Sequence, residues 1–228
     1  GCGTATTSLK LARLLGEKGS VTGVDISEPI LECAKQKADK NSVHNIEFVL
    51  ADAQNHKFIF NNYDAIFSRF GLMFFEDPVA AFSNILKGLK SGGRLTFVCW
   101  ADRSENDWIE VPTNIASRFL ELPPKAAPRE PGPFAFEDPL YLRKVLSDSG
   151  WNDVVIENYS ITNVVGKNIK DAADFLSRMG PMSLPFENSK KSVQRKVIDS
   201  LEECFINYST REGVEMHFST WIVKANKS

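Results

Sequence analysis

Gly1-Cys2-Gly3-Thr4-Ala5-Thr6 opens the sequence, and Ser20-Val21-Thr22-Gly23-Val24-Asp25 follows it after one amphipathic segment. These two stretches decide the fold. In the first, glycines let a backbone turn closely around a ligand, and the helix behind them offers unpaired N–H groups to an anion. That helix is marked by Leu11, Leu14 and Leu15 at i, i+3 and i+4, with Gly16 as its stop. The second stretch is a short β-rich run ending in an acid, Asp25, 22 residues after Gly3. A carboxylate at that spacing can take both hydroxyls of a ribose. The blander alternatives are a tight turn at the glycines and a strand-end turn at Asp25.

Reading outward, helix and strand signals keep alternating to residue 100. Ser27-Glu28-Pro29 starts a helix with Ile30, Leu31, Ala34 and Ala38 on one face. Asn45-Ile46-Glu47-Phe48-Val49-Leu50 is a strand that runs into Ala51-Asp52-Ala53, and Tyr63 to Ser68 is the next. Asp77-Pro78 caps a helix carrying Ala81, Phe82, Ile85, Leu86 and Leu89, with Gly92-Gly93 as its expected end before the strand Arg94 to Trp100. Continuous apolar strands alternating with helices predict a parallel sheet covered on both faces. Asp52 ends its strand as Asp25 does, where a carboxylate can accept a hydrogen bond from an adenine amino group or simply close a turn. Ligands of open α/β sheets bind outside these carboxyl ends.

The rhythm breaks after Trp100. Residues 101–136 hold an amphipathic stretch around Trp108 to Leu122, then Pro123, Pro124, Pro128, Pro131 and Pro133, and read as a lid or substrate insert. Residues 137–228 add a helix from Asp138-Pro139, a strand from Val154 to Thr162, two helices around Leu176 and Leu201, and a closing strand from Met216 to Ala225. The organisation expected is therefore a cofactor-binding core at 1–100, an insert at 101–136 and a C-terminal completion at 137–228.

Composition narrows the function. The 228 residues are 43% hydrophobic and 25% charged, which suits a folded soluble chain and excludes disorder, a fibre or a disulfide scaffold. A net charge of −2 argues against nucleic acid as the main partner. No apolar run reaches the ~20 residues of a membrane span. Cys2, Cys33, Cys99 and Cys204 are scattered and read as reduced, mostly buried thiols of a cytoplasmic protein. Neither they nor His44, His56 and His217 show metal-ligand spacing, so no metal is expected. The basic run Lys190, Lys191, Arg195 and Lys196 alternates with Val193 and Val197 and reads as a solvated helix face.

Gly1-Cys2-Gly3-Thr4, Gly23-Val24-Asp25-Ile26-Ser27, Ala51-Asp52-Ala53 and Leu86-x3-Lys90-Ser91-Gly92-Gly93-Arg94-Leu95 together resemble the class I S-adenosylmethionine-dependent methyltransferases. Ser68-Arg69-Phe70-Gly71-Leu72 is similar to the corresponding segment of the ubiquinone/menaquinone C-methyltransferase-like branch. The resemblance implies a Rossmann-like, doubly wound, seven-stranded, mostly parallel sheet with the insert after strand five. Its central strand would precede Gly1, upstream of the residues given. It also implies S-adenosylmethionine as cofactor, with Gly1 and Gly3 under its methionine part and Asp25 on the ribose. Ile26 would pack on the adenine, Asp52 and the Ala53 backbone would meet its amino group, and Ser68 and Arg69 would lie near the sulfonium. Ala5 stands where the family carries a third glycine.

The acceptor expected is a small, hydrophobic or aromatic molecule, with Met73, Trp100, Trp108 and Phe134 as candidate walls. No catalytic base stands out, because a phenolate, thiolate or amine acceptor needs none. The alternatives are an NAD-linked oxidoreductase, disfavoured by Thr6 where a third glycine is wanted, and a nucleoside-cofactor-binding protein without catalysis.

Overall fold

A computed structural model describes residues 1–228. Its elements run α1 (Thr6–Leu15), β1 (Val21–Asp25), α2 (Glu28–Lys40), β2 (Ile46–Leu50), β3 (Tyr63–Arg69), α3 (Pro78–Gly88), β4 (Leu89–Trp100), α4 (Asp107–Ala116), α5 (Pro139–Asp148), β5 (Asn152–Gly166), α6 (Ile169–Ser177), α7 (Ser183–Asn188), α8 (Lys191–Phe205) and β6 (Val214–Asn226). The chain forms two compact units. The first comprises Gly1–Trp100, Arg129–Glu157 and Trp221–Ser228, and the second Ala101–Pro128 and Asn158–Thr220.

In the first unit β1 and β2 pair in parallel, from Val21 opposite Ile46 to Asp25 opposite Leu50. Mostly small apolar residues seat the helices on this pair: Ala5, Leu9 and Ala12 of the α1 segment and Ala34 and Ala38 of α2 pack on Val21, Ile46 and Phe48. β3 and β4 also pair in parallel, and the four-stranded sheet runs in the order β3-β4-β6-β5. α3 begins where Asp77 accepts a hydrogen bond from the Ala80 amide at 2.9 Å, with Pro78 in the first turn. Its Phe82 meets Phe97 of β4 and Phe136 at ring-centroid distances of 5.6 and 6.0 Å. Leu142, Val145 and Leu146 of α5 complete this core. Burying a side chain of that size contributes about 2–3 kcal/mol.

The second unit has its own core, in which Ile115 of α4, Leu176 of α6, Val197, Leu201 and Phe205 of α8, and Met216 of β6 are buried together.

Four expectations need correction. Six strands in two sheets replace the seven of a single sheet; the seventh was placed ahead of Gly1, outside the residues described. β1 pairs only with β2 and β3 only with β4, and the expected cover on both faces of the sheet fails at β3, where Ala65 and Phe67 face solvent. Gly92-Gly93 does not end the helix. α3 stops at Gly88, where Leu89 turns to extended geometry, and Gly92 (φ 73°) sits in an irregular stretch of β4 opposite β3. Of the cysteines only Cys99 is buried, and Cys33 is exposed one position before the buried Ala34 of α2.

The units divide after Trp100, Pro128, Glu157 and Thr220. Residues 129–157 stay with the first unit, because Gly132 donates to the Met73 carbonyl at 3.0 Å and Phe136 and Leu142 enter its core. No helix is long and apolar enough to cross a membrane.

Candidate functional site

The carboxyl ends of β1, β2, β3 and β4 gather the chemistry-bearing residues of the first unit. Asp25, the last residue of β1, is only 8% exposed. Its Oδ2 accepts the Gly3 amide at 2.8 Å and its Oδ1 the Ser27 amide at 3.1 Å. The carboxylate thus ties the glycine loop to the start of α2, and each oxygen retains a lone pair for a further donor. Gly3 has φ +56°, and a Cβ built on it would meet nothing within 4 Å. The loop therefore borders open space at this residue, as a loop shaped for a ligand should. Next to buried Asp25, the Ile26 side chain is 73% exposed, an apolar surface suited to a planar ring.

Ala51 donates to the Asp25 carbonyl at 2.9 Å, which brings the end of β2 alongside the end of β1. Asp52 closes a turn there, accepting the Gln54 amide at 2.9 Å and the Asn55 side chain at 2.7 Å. Ala53 accepts from Asn84 at 3.1 Å, and the same Asn84 amide reaches the His56 carbonyl at 2.8 Å. Asn84 of α3 thereby anchors the loop from 53 to 56. Sequence periodicity does not single out this asparagine, since it lies between the core positions Phe82 and Ile85.

At the end of β3, Ser68 is 8% exposed and its Oγ finds no hydrogen-bond partner. An orphaned hydroxyl costs about 1–3 kcal/mol, so it marks a place where a partner would be favourable. Arg69 is exposed. Phe70 follows with φ +59°, a left-handed conformation that costs a non-glycine residue about 1–2 kcal/mol. Its ring stacks on Trp100, with centroids 4.3 Å apart and planes inclined by 15°. Beyond it, Gly71 and Gly1 touch backbone to backbone: a Cβ on Gly71 would lie 2.8 Å from the Gly1 oxygen and 2.9 Å from Ser68 Oγ. Sequence reasoning left Phe70 and Gly71 in the background, although both stand in the Ser68-to-Leu72 segment.

The acceptor candidates separate. Trp100 and Phe134 are half-buried in the first unit, whereas Met73 is 2% exposed and belongs to the core around Phe82. In the second unit, Trp108 donates through Nε1 to Asn106 Oδ1 at 3.1 Å and stacks on Phe218 with planes 7° apart. Burial pushes the Cys99 thiol well up from its ordinary range, so it acts as a core group rather than a nucleophile.

Residues 1–93 match a family described as a methyltransferase domain. The demethylmenaquinone methyltransferase of Staphylococcus epidermidis is 29% identical over 167 residues, which is 70% of this chain and 68% of that one. Together these findings support a class I S-adenosylmethionine-dependent methyltransferase of the ubiquinone/menaquinone-like branch. The demethylmenaquinone methyltransferase of Listeria welshimeri is 31% identical over 110 residues, and the chain spans about half of that relative, 47% of its length. The fold is shared with the Bacillus subtilis YcgJ protein, at a TM-score of 0.62, 14% identity and coverage of 100% of this chain and 89% of that one. It is shared as well with Haemonchus contortus phosphoethanolamine N-methyltransferase 2 in complex with S-adenosyl-L-methionine, at a TM-score of 0.58, 17% identity and coverage of 100% and 47%. The methyltransferase match covers the segment that carries the glycine loop, Asp25, Asp52 and the Ser68-to-Gly71 turn.

Proposed function

We propose that this methyltransferase acts on a small, hydrophobic, quinone-type acceptor, and that the residues at the carboxyl ends of β1 to β4 hold its cofactor and that acceptor. The observation that carries the cofactor half is the Asp25 carboxylate: it is buried, tied to the glycine loop at 2.8 Å and flanked by the exposed Ile26. The acceptor half is supported by the names of the curated relatives, two demethylmenaquinone methyltransferases, and by the aromatic residues beside the site.

S-adenosylmethionine, when bound, supplies a methyl group activated by a sulfonium. The chain's residues fit it. Asp25 accepts the ribose hydroxyls, and Ile26 offers its apolar side chain to the adenine. Asp52 and the Ala53 backbone, held by Asn84, meet the adenine edge. Gly1 and Gly3 pass under the methionine part, where the absence of side chains lets the backbone come close. Ser68 directs its unpartnered hydroxyl toward the same end, with Arg69 beside it.

The protein's part in the reaction is to orient the acceptor nucleophile in line with the methyl group and to keep water away. Trp100 and Phe134 of the first unit serve as apolar walls. Met73 supports the site from within the core. A quinol acceptor ionised to its phenolate form needs no base from the protein.

Incubating the full chain with methyl-labelled S-adenosylmethionine and 1,4-naphthohydroquinone tests this reading. The expected result is label in the quinol product, followed by mass spectrometry. Label transfer to aliphatic amines or alcohols but not to the quinol would overturn the acceptor assignment.

A further inference from the structure

We propose that Phe70 is the specificity-determining residue of the acceptor site: stacked with Trp100, it forms an aromatic shelf that selects a flat ring. The inference rests on the methyl-transfer reading above and adds to it the shape of the acceptor and the residue that reads it.

Three observations converge on this pair. First, the position is right. Arg69 opposite Val98 is the last paired rung between β3 and β4, and the Phe70 amide donates to the Val98 carbonyl at 2.9 Å. Phe70 and Trp100 therefore stand just past the last rung, at the sheet edge where ligands of this architecture bind. The next residue, Gly71, touches Gly1, so the shelf adjoins the loop assigned to the methionine part of the cofactor.

Second, the backbone is bent to aim this ring. A bulky residue at φ +59° is an outlier that persists only where the surroundings enforce it, and such residues cluster at ligand sites. A glycine would adopt the same conformation freely. The left-handed turn delivers the Phe70 ring onto Trp100.

Third, the pair is stacked face to face at the margin of the core. The core rings pack at steep or oblique angles, 38° between Phe82 and Phe97 and 77° between Phe75 and Phe82. Phe70 and Trp100 lie within 15° of parallel at 4.3 Å, and both residues are half-buried rather than enclosed. Near-parallel rings can extend the stack with a third flat ring, such as that of a naphthohydroquinone. A puckered aliphatic acceptor gains nothing from such a surface.

The test uses the full chain, Phe70→Leu and Phe70→Tyr, with 1,4-naphthohydroquinone as acceptor and S-adenosylhomocysteine as cofactor probe. The expected result is a rise of about tenfold or more in the acceptor KM of Phe70→Leu, with kcat changed less and S-adenosylhomocysteine affinity within about twofold. Phe70→Tyr, which keeps the ring, should restore the KM. If the parent methylates the quinol and Phe70→Leu shows the same KM, the shelf is refuted while the methyl-transfer reading stands. If S-adenosylhomocysteine binds but the quinol neither binds nor reacts, the shelf is refuted too. If the parent binds no S-adenosylhomocysteine, the underlying reading falls and the shelf with it. A loss of thermal stability in Phe70→Leu with an unaltered KM would assign Phe70 a structural role alone.

Discussion

The Gly3 amide donates to Asp25 Oδ2 at 2.8 Å across 22 residues of sequence, joining the loop ahead of α1 to the end of β1. That one bond sets the geometry on which the cofactor assignment depends. It fixes the carboxylate at the mouth of the glycine loop with lone pairs to spare, and a second bond from the Ser27 amide prevents the side chain from swinging away.

Asp25→Ala should therefore weaken S-adenosylhomocysteine by about 1–3 kcal/mol, or roughly 5- to 150-fold, through loss of the ribose partner and of the loop anchor. Isothermal calorimetry on parent and variant measures it. Equal affinities would contradict the assigned role.

Gly71→Ala places a methyl group 2.8 Å from the Gly1 oxygen and 2.9 Å from Ser68 Oγ. One of those contacts is backbone, so the turn after β3 must move. Overpacking of this kind costs about 1–3 kcal/mol. The expected outcome is a lower melting temperature together with weaker cofactor binding. An unchanged calorimetric titration would show that the loop and the turn are not coupled.

Much of the first unit was legible because its signals are local. The Asp77-Pro78 start of α3, the acid ending β1 and the apolar spacing of α2 each come from short-range chemistry, and each appears where the sequence puts it. Gly92-Gly93 misled because glycines mark both helix stops and strand irregularities, and only the register with β3 tells them apart. The assignment of 129–157 to the first unit was hidden because it depends on long-range contacts, Gly132 with Met73 and Phe136 with Phe82. In the candidate site, the spacing of Gly3 and Asp25 is legible in the sequence, and their 2.8 Å hydrogen bond joins them. The Phe70–Trp100 stack was not, since one backbone angle decides where that ring points.

In the second unit, Asn106 is fully buried and uses its whole amide: it donates to the Asp102 and Ser219 carbonyls at 2.9 and 3.1 Å and accepts from the Ser219 amide and the Trp108 indole at 3.0 and 3.1 Å. Asn106→Ala strands several buried polar groups and should destabilise the unit by about 3 kcal/mol. Thermal denaturation followed by tryptophan fluorescence checks it. A variant that melts within a degree of the parent would refute the load placed on this side chain.

Glu110 provides a pH-dependent contribution. Burial acts to raise its carboxyl, but hydrogen bonds from Arg103 at 2.7 Å and Lys125 at 2.9 Å outweigh it and hold the group below the ordinary carboxylate range. A lowered folded value means the stabilisation is complete above the unfolded value, about 4.3, and is lost as the pH falls through the lower folded one. Glu110→Gln should thus be less stable than the parent at pH 7, with the gap narrowing as the pH falls below about 4.3 and in high salt. A gap that persists undiminished at pH 3 would refute the ion-pair account.

The central claim is that the ends of β1 to β4 bind S-adenosylmethionine for methyl transfer. Calorimetric titration of the full chain with S-adenosylhomocysteine, repeated with NADH, addresses it most directly. The account predicts saturable heat at one site per chain for S-adenosylhomocysteine, sharply reduced in Asp25→Ala, and none for NADH. No heat with S-adenosylhomocysteine, or saturable binding of NADH instead, would contradict it.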